Sequence, residues 1–318
     1  YAFGGTSASK LANLTLGPKL KTIHPYALAR IAATTITIPK SVELVDEYAF
    51  NYATAKEVIF EGGGTAGLTV KRYAFGNMSK LETITLPARL ETIYDTATLS
   101  AFTGRYKDIY NRFNSDKVLK AINVEPGGKN FHSVDGVLYE MDEEGKPTIL
   151  LYCPQGKSGE YMIPKEIRMV ENGAFVNTKL TKISFEEYGK TDANYGQPLL
   201  EVGLGIAKNT SSNSTYAVFS GNIQKINFPS HLKRLGIQTC RNIKTVDTRI
   251  NFNMDATLED IGGVNFSGCS GITELHLPNI KGMGKGCFAS MSAVTVITMG
   301  PNSVITEIPD STYSNCTA

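Results

Sequence analysis

The sequence repeats a short phrase in which two apolar residues flank one polar residue, often with a proline directly after. The first apolar residues of successive copies lie 22 positions apart from Leu14 to Ile36, from Ile36 to Val58 and from Leu275 to Ile297. A fixed period of this length is typical of solenoids, because one unit cannot bury its apolar face without stacking on its neighbours. The chain is therefore predicted to be a repeat solenoid, whose working surface is extended rather than enclosed.

One copy indicates how the repeat builds a strand. The alternation Thr-Ile-Thr-Leu in residues 83–86 places the apolar pair on one face and Thr83 and Thr85 on the other, as a half-buried strand requires. Pro87 then ends the strand, since proline cannot donate the next backbone hydrogen bond. Further along each unit, a second apolar pair is predicted to form the opposite wall, and an Ala-Phe step is predicted to fill the core between the walls.

This repeat resembles the unit of the BspA-like leucine-rich repeat family, which has the pattern L-x-x-I-x-L-P-x-x-V-x-x-I-G-x-x-A-F-x-x-C. Residues 81–93 match its first half, and residues 42–50 match its second half. The Ala-Phe step recurs along the chain at Ala2-Phe3, Ala49-Phe50, Ala74-Phe75 and Ala174-Phe175. The resemblance implies a β-rich leucine-rich-repeat fold over residues 1–318, a right-handed superhelix with short helical or irregular segments on its outer wall.

Three stretches interrupt the period. In residues 97–114 apolar residues recur every three or four positions, which predicts a short amphipathic helix that either packs on the outer wall or binds a partner. Residues 130–154 are predicted to form an inserted β-hairpin that turns at residues 142–146, and a similar hairpin often occurs in the BspA-like family. Residues 207–215 are polar and predict a loop.

Composition and charge argue against two kinds of partner. The chain has 32 Lys and Arg against 30 Asp and Glu, and this net charge of +2 is too small and too dispersed for a nucleic-acid-binding surface. No apolar run approaches the length of about 18 residues that a membrane span needs. Both ends fall inside a repeat, at Tyr1 and Cys316, so we expect a segment truncated at both ends, with any secretion signal and anchor outside it.

The sequence offers no motif for catalysis, so we predict a protein that is not an enzyme and has no catalytic residues, no metal and no cofactor. Its 4 histidines are scattered without an H-E-x-x-H pattern, and no G-x-S-x-G elbow occurs. Carboxylate pairs formed by distant parts of the chain stay open as an alternative. The 5 cysteines contain no C-x-x-C pair, which argues against a zinc site or a disulfide framework. Cys240, Cys269 and Cys316 are predicted to be thiols packed in the core.

The outward residues of the strands form the predicted binding surface. A solenoid commonly uses such a ribbon to bind a macromolecule, although an exposed threonine is also simply favourable in a strand. The outward positions lack the aromatic residues that would stack on sugar rings, so a protein ligand is favoured over a glycan. The candidate binding residues are Thr83, Thr85, Lys182, Lys225, Asp247, Glu274 and His276.

Members of the BspA-like family are associated with adhesion to host matrix proteins and cells. The resemblance therefore implies a bacterial protein that is secreted or exposed on the cell surface and holds a host or cell-surface protein on its strand face. Two alternatives stay open. The first is a structural spacer that presents another domain, and the second is a carbohydrate-binding surface protein.

Overall fold

The computed structural model describes residues 10–98, 105–108, 113, 116–203, 217–219, 222–223, 225–241, 243 and 258–317. The chain forms two compact units. Unit 1 comprises residues 1–96 and 107–157, and unit 2 comprises residues 97–106 and 158–318. Among the described residues every regular element is a β-strand, and none belongs to a helix able to cross a membrane. The single right-handed superhelix over residues 1–318 stays a prediction.

The strands are short and recur with the repeat. The first group contains β1 (Thr22–Ile23), β2 (Thr35–Ile38), β3 (Leu44–Val45), β4 (Glu57–Phe60), β5 (Leu68–Val70), β6 (Thr83–Leu86), β7 (Leu90–Thr92), β8 (Asp95–Thr98), β9 (Arg105–Asp108), β10 (Ala121–Val124), β11 (Phe131–Val134), β12 (Val137–Met141) and β13 (Pro147–Tyr152). The second group contains β14 (Ser158–Ile163), β15 (Met169–Val170), β16 (Lys179–Phe185), β17 (Leu200–Val202), β18 (Lys225–Asn227), β19 (Leu232–Leu235), β20 (Asp260–Ile261), β21 (Glu274–Leu277), β22 (Gly282–Met283) and β23 (Val296–Met299).

The strands that carry the repeated phrase pair in parallel, one repeat beside the next. We call them the front strands: β2, β4, β6 and β10 in unit 1, and β14, β16, β18, β21 and β23 in unit 2. β2 pairs with β4 and β21 with β23, each at the predicted offset of 22 residues, so that Thr35 lies opposite Glu57. β6 pairs with β10, and β16 pairs with both β14 and β18.

The front strands have the predicted alternation. In β6 the side chains of Ile84 and Leu86 are 1% and 0% exposed, whereas Thr83 and Thr85 face solvent. Because successive residues of a strand point to opposite faces, one face joins the core and the other is left for binding.

A second set of parallel strands, the rear strands, forms the opposite wall. In unit 1 these pair in the order β1, β3, β5, β7, and in unit 2 in the order β15, β17, β19, β20, β22. Each is only a few residues long, because the second apolar pair of the repeat spans only that distance before the chain turns inward.

A turn follows most of the rear strands, and its backbone alternates in handedness. Tyr48 and Tyr52 have φ of 56° and 60°. These left-handed residues prevent a helix from continuing, so alternate N–H groups donate to the next repeat. The bonds run from Tyr48 to Arg72 O, from Phe50 to Ala74 O and from Tyr52 to Gly76 O, at 3.0, 2.8 and 3.0 Å. The short helical segments expected on this wall are accordingly not found among the described residues.

The Ala-Phe step fills the core with a column of stacked rings. In unit 1 the ring centroids of Phe50 and Phe75 are 5.6 Å apart, and those of Phe75 and Phe113 are 6.2 Å apart. In unit 2 Phe266 and Phe288 stack at 5.8 Å. Rings at this spacing pack in an offset, near-parallel arrangement that stabilises each repeat against its neighbour.

The helix predicted for residues 97–114 is absent from the part of that segment that the structure describes. β8 ends there at Thr98, and β9 lies within it. The Asp-Thr-Ala-Thr sequence of β8 has β-branched residues at alternate positions, which lose side-chain freedom in a helix and favour a strand. Residues 99–104, 109–112 and 114, and the polar loop predicted at residues 207–215, lie outside the described residues.

The insertion of residues 130–154 contains three antiparallel strands. β12 pairs with β13 around residues 142–146, which is where the sequence pattern places the hairpin turn. β11 also pairs with β12 through a second, tighter turn at Asp135 and Gly136. Their φ angles of 47° and 71° are those of a two-residue hairpin turn that twists with its strands.

The cysteines are all free thiols, and all but the half-buried Cys316 are buried. Cys269 Sγ donates to the carbonyl oxygen of Cys240 at 3.0 Å, and Cys316 Sγ donates to that of Phe288 at 3.3 Å. Burial raises the pKa of the Cys269 and Cys287 thiols to about 12. The prediction that the thiols pack in the core is confirmed for Cys240 and Cys269, whereas Cys316 is only half-buried.

We predict that the register of β6 determines stability. Leu86→Asp places a carboxylate at a fully buried position and is expected to cost about 4 kcal/mol of unfolding free energy, whereas Thr85→Asp on the exposed face should cost less than about 1 kcal/mol. Urea denaturation followed by circular dichroism measures both. Equal losses from the two substitutions would contradict the strand register.

We also predict that the buried thiols are unreactive until the protein unfolds. A thiolate is the reactive species, and burial holds the thiols in their protonated form. Treatment with iodoacetamide at pH 8, followed by mass spectrometry, should give at most one rapid adduct in the native protein, at Cys316, and adducts at every cysteine in urea. Cys316→Ser serves as the control and should abolish the native adduct. Rapid native labelling of Cys240 or Cys269 would show the packing to be wrong.

Candidate functional site

Two of the predicted binding residues lie side by side in unit 2. Lys182 of β16 is directly opposite Lys225 of β18 in the parallel register, and Ser184 is opposite Asn227. Lys182 Nζ also donates to Glu160 of β14 at 2.6 Å, so the row across these three strands runs from an acid to two lysines. Lys225 is exposed. The fold therefore concentrates positive charge at this part of the front face.

Glu274 and His276 form a separate polar cluster on β21. His276 Nε2 is 3.3 Å from Glu274 Oε2, and its Nδ1 is 2.7 Å from Thr298 Oγ1 on β23. Both ring nitrogens thus have partners within the front face. Among the described residues β21 and β23 pair only with each other, so no described strand links Glu274 and His276 to the sheet of Lys182 and Lys225.

The remaining candidates do not add to either group. Thr83 and Thr85 are exposed on β6 of unit 1, where they lie opposite Ala121 and Asn123 of β10. Asp247 lies outside the described residues. In unit 1 the front face is therefore a small-residue, largely uncharged surface at these positions.

Sequence reasoning missed one front strand, β14, and with it two surface residues. Met162 is 59% exposed, and Glu160 is the partner of Lys182. A signal was present, because Ile163-Pro164 repeats the apolar-proline phrase and Glu160 precedes Lys182 by 22 positions. The adjacent hairpin insertion obscured it. Met162 gives the lysine-rich part of the face an apolar neighbour.

The acidic hairpin tip uses its charges internally. Asp142 Oδ1 accepts hydrogen bonds from the N–H groups of Glu144 and Lys146 at 3.0 and 2.9 Å. Glu144 in turn pairs with Lys146 Nζ at 2.9 Å. Among the described residues no group of three or more His, Cys, Asp or Glu side chains has the arrangement of a metal site.

An open cleft of about 680 Å³ in unit 1 lies beside Arg89. The guanidinium of Arg89 is directed inward, with Nη1 donating to the carbonyls of Val42 at 2.6 Å and Ala66 at 3.2 Å. A Cβ on Gly64 would lie 2.6 Å from Arg89 Nε, so glycine is needed there for the side chain to fold in. Arg89 thus joins three repeats through Nη1, whereas its Nε and Nη2 are buried without a hydrogen-bond partner.

Glu187, Ser230 and His231 lie together in unit 2 but do not have the geometry of a catalytic triad. Ser230 Oγ donates to Glu187 Oε1 at 2.6 Å rather than to the histidine. His231 Nδ1 is 4.0 Å from the same oxygen, and its side chain is 3% exposed. In a triad the histidine must accept the serine proton, so this cluster is an internal polar contact.

Comparison with a family model accounts for the repeat. The model of the BspA type leucine rich repeat region matches 6 copies, in residues 1–103 and 245–318. No curated protein sequence has significant similarity to the chain.

Three solved structures have a similar fold. The pneumococcal vaccine antigen PcpA is 22% identical with a TM-score of 0.54, over 89% of this chain and 55% of that protein. A leucine rich cell surface protein from Faecalibacterium prausnitzii is 17% identical with a TM-score of 0.54, over 88% of this chain and 69% of its own. A leucine-rich repeat protein from Bacteroides ovatus is 16% identical with a TM-score of 0.50, over 91% and 66%. At these identities the likeness shows the fold, and this chain spans little more than half of the pneumococcal protein.

We predict that His231 makes stability depend on pH. Burial lowers the pKa of His231, and Glu187 only partly opposes this effect. The unfolded chain, with a histidine pKa of about 6.5, therefore takes up the proton first, so stability is fully present above about pH 7.5 and falls as the pH drops through 6.5. Urea unfolding at pH 7.5 and pH 5 should show this loss in the native protein and a smaller loss in His231→Gln. His132→Gln, at an exposed histidine, is the control. Equal losses in the native protein and His231→Gln would refute the role of His231.

Proposed function

Because the chain belongs to the BspA type leucine-rich repeat family, we propose that it is a non-enzymatic binding protein, secreted or displayed on a bacterial cell, that holds a protein partner on its front strands. Membership of the family supports a surface protein-interaction role in general. The proposal adds the place of binding, which is the row of Glu160, Lys182 and Lys225, with Met162 beside it.

The observation that carries the proposal is the pairing of two lysines. Two lysines elsewhere in the described residues have acidic partners on the neighbouring repeat. Lys120 pairs with Glu82 at 2.7 Å and Lys281 with Glu259 at 2.8 Å. Lys182 likewise pairs with Glu160 on one side, but on its other side it lies opposite Lys225. Like charges directly opposite each other are destabilising in a sheet, so the fold gains nothing from this pair. An acidic surface on a partner would neutralise it.

Met162 supports a protein rather than a glycan as the partner. An exposed apolar side chain next to charged residues is the arrangement of an interface anchor with a polar rim. Carbohydrate capture would need an open aromatic ring on this face, and Glu160, Met162, Lys182 and Lys225 provide none. The charged row would set the rate and orientation of association, while the anchor would slow dissociation.

The test begins with capture of partners from biotinylated host cells and matrix proteins, followed by affinity measurement with the partner identified. Lys182→Ala combined with Lys225→Ala should weaken binding about tenfold and reduce its dependence on salt, since two rim charges are lost. Lys120→Ala combined with Lys281→Ala removes the same charge elsewhere and should leave affinity unchanged. His276→Ala is also expected to have little effect, because its ring already has partners within the face.

Other outcomes would contradict the proposal in distinct ways. If the native protein captures nothing, the spacer alternative is supported. If a partner is captured but the Lys182 and Lys225 double variant holds it as tightly as the native protein does, the binding surface lies elsewhere. Melting temperatures of all variants, measured in parallel, separate these results from a loss of folding.

A further inference from the structure

Unit 1 carries a row of stacked tyrosines on the turns that follow its rear strands. The ring centroids of Tyr26 and Tyr48 are 4.7 Å apart with an interplanar angle of 3°, and those of Tyr48 and Tyr73 are 4.7 Å apart at 14°. All three side chains are half-buried. We call these residues the tyrosine row.

Each tyrosine of the row occupies a backbone position that disfavours it. Their φ angles are 56°, 56° and 54°, in the left-handed region where only glycine is free of steric cost. The equivalent position in another repeat can be recognised by its backbone hydrogen bond. The N–H of Tyr26 donates to the carbonyl of Glu47, the residue before Tyr48, and the N–H of Gly286 donates to the carbonyl of Asp310, the residue before Ser311. In unit 2 this position holds Gly173, Gln238, Val264, Gly286 and Ser311, all with positive φ.

The backbone therefore does not require tyrosine at this position. Stacking of the rings offsets part of the strain. Gly173 and Gly286 adopt the same positive φ without steric strain. Three successive aromatic residues in a strained conformation at the surface point to a function. Tyrosine and arginine are also the residue types that most often dominate binding energy at protein interfaces.

Arginines accompany the row. The guanidinium of Arg72 lies 5.2 Å from the centroid of Tyr73, and that of Arg30 lies 4.5 Å from the centroid of Tyr52, which is 47% exposed. The nearby charged groups are Asp46, which pairs with Lys71 at 3.2 Å, and the exposed Glu47. With these counted, the surface retains an excess of positive charge.

The groups presented by this surface define the ligand. Both flat faces of Tyr48 are covered by Tyr26 and Tyr73, and a guanidinium lies over Tyr52 and over Tyr73. The surface presents phenol O–H groups, ring edges and guanidinium N–H groups. The pKa of Tyr48 is raised by burial and then by its two neighbouring phenols, so its hydroxyl stays protonated and able to donate. A surface rich in donors and positive charge matches a ligand rich in carboxylates.

We propose that the tyrosine row, with Arg30, Tyr52 and Arg72, is a second binding surface that holds an acidic, extended segment of a protein. This surface lies on the turns of unit 1 and shares no residue with the front-strand site of unit 2. Carboxylates of the segment accept hydrogen bonds from the guanidinium groups and from Tyr48 and Tyr73, while ring edges contact its backbone.

The experiment uses a fluorescein-labelled peptide of eight glutamates, with a labelled Gly-Ser peptide of equal length as the neutral probe, and fluorescence anisotropy as the readout. Arg30→Gln combined with Arg72→Gln should weaken binding of the acidic peptide about tenfold. Tyr48→Phe keeps the ring stack but removes one hydroxyl, and should weaken binding about fivefold without changing the melting temperature.

Two control variants separate this surface from the rest of the molecule. Tyr188→Phe alters a tyrosine of unit 2 that also has a cation, Lys165 Nζ, at 4.6 Å from its ring, and should bind the peptide normally. Lys182→Ala combined with Lys225→Ala removes the front-strand lysine pair, which could also attract an acidic peptide, so the arginine variant and Tyr48→Phe are also measured in this background, where they should cause the same losses. The proposal is overturned if the native protein does not bind the acidic peptide, or if Tyr48→Phe and the arginine variant bind it fully. It is likewise overturned if the arginine variant and Tyr48→Phe cause no loss of affinity in the Lys182 and Lys225 background, or if heparin binds to the tyrosine row and the peptide does not.

Discussion

The hydrogen bonds between successive turns are the constraint on which the rest of this structure depends. In each turn alternate N–H groups leave their own segment and donate to the next repeat, as Val264 does to Lys285 O at 3.0 Å and Phe266 to Cys287 O at 2.7 Å. This geometry is possible only because residues such as Val264 adopt positive φ. Hydrogen bonds between repeats thus take the place of hydrogen bonds within a helix. They set the spacing at which rings stack in the core, and they align surface side chains from one repeat to the next.

Surface chemistry follows from that register. A side chain has as its nearest neighbours the residues at the same position of the adjacent repeats, so Lys182 lies between Glu160 and Lys225, and Tyr48 lies between Tyr26 and Tyr73. Such rows present one kind of group repeatedly along a line, which suits an extended macromolecular partner better than a small substrate. Polar groups that could suggest chemistry instead make internal contacts, as Ser230 Oγ does with Glu187 and Arg89 Nη1 does with two backbone carbonyls.

Much of the fold was predictable because its signals are local. Alternation in residues 83–86 indicates which side chains are buried, and the Ala-Phe step marks the core column that Phe50 and Phe75 occupy. The helix predicted near residues 97–114 failed for a related reason, since apolar spacing alone does not reveal that Thr96 and Thr98 belong to a strand. The absence of helices from the described part of the rear wall was equally hidden, because left-handed φ at a tyrosine such as Tyr48 has no signature in composition or periodicity.

By itself, the sequence determined the repeat, its family, the buried and exposed faces of the front strands and the burial of Cys240 and Cys269, since each of these depends on spacing along the chain. Only the tertiary structure decided which residues become neighbours across repeats. Glu160 and Lys182 are 22 positions apart, but Lys182 and Lys225 are 43 apart, with an insertion between them. A loop of almost any length can connect two neighbouring front strands. Which strands pair is therefore set by backbone hydrogen bonding and core packing in three dimensions, and the spacing of residues along the chain does not reveal it.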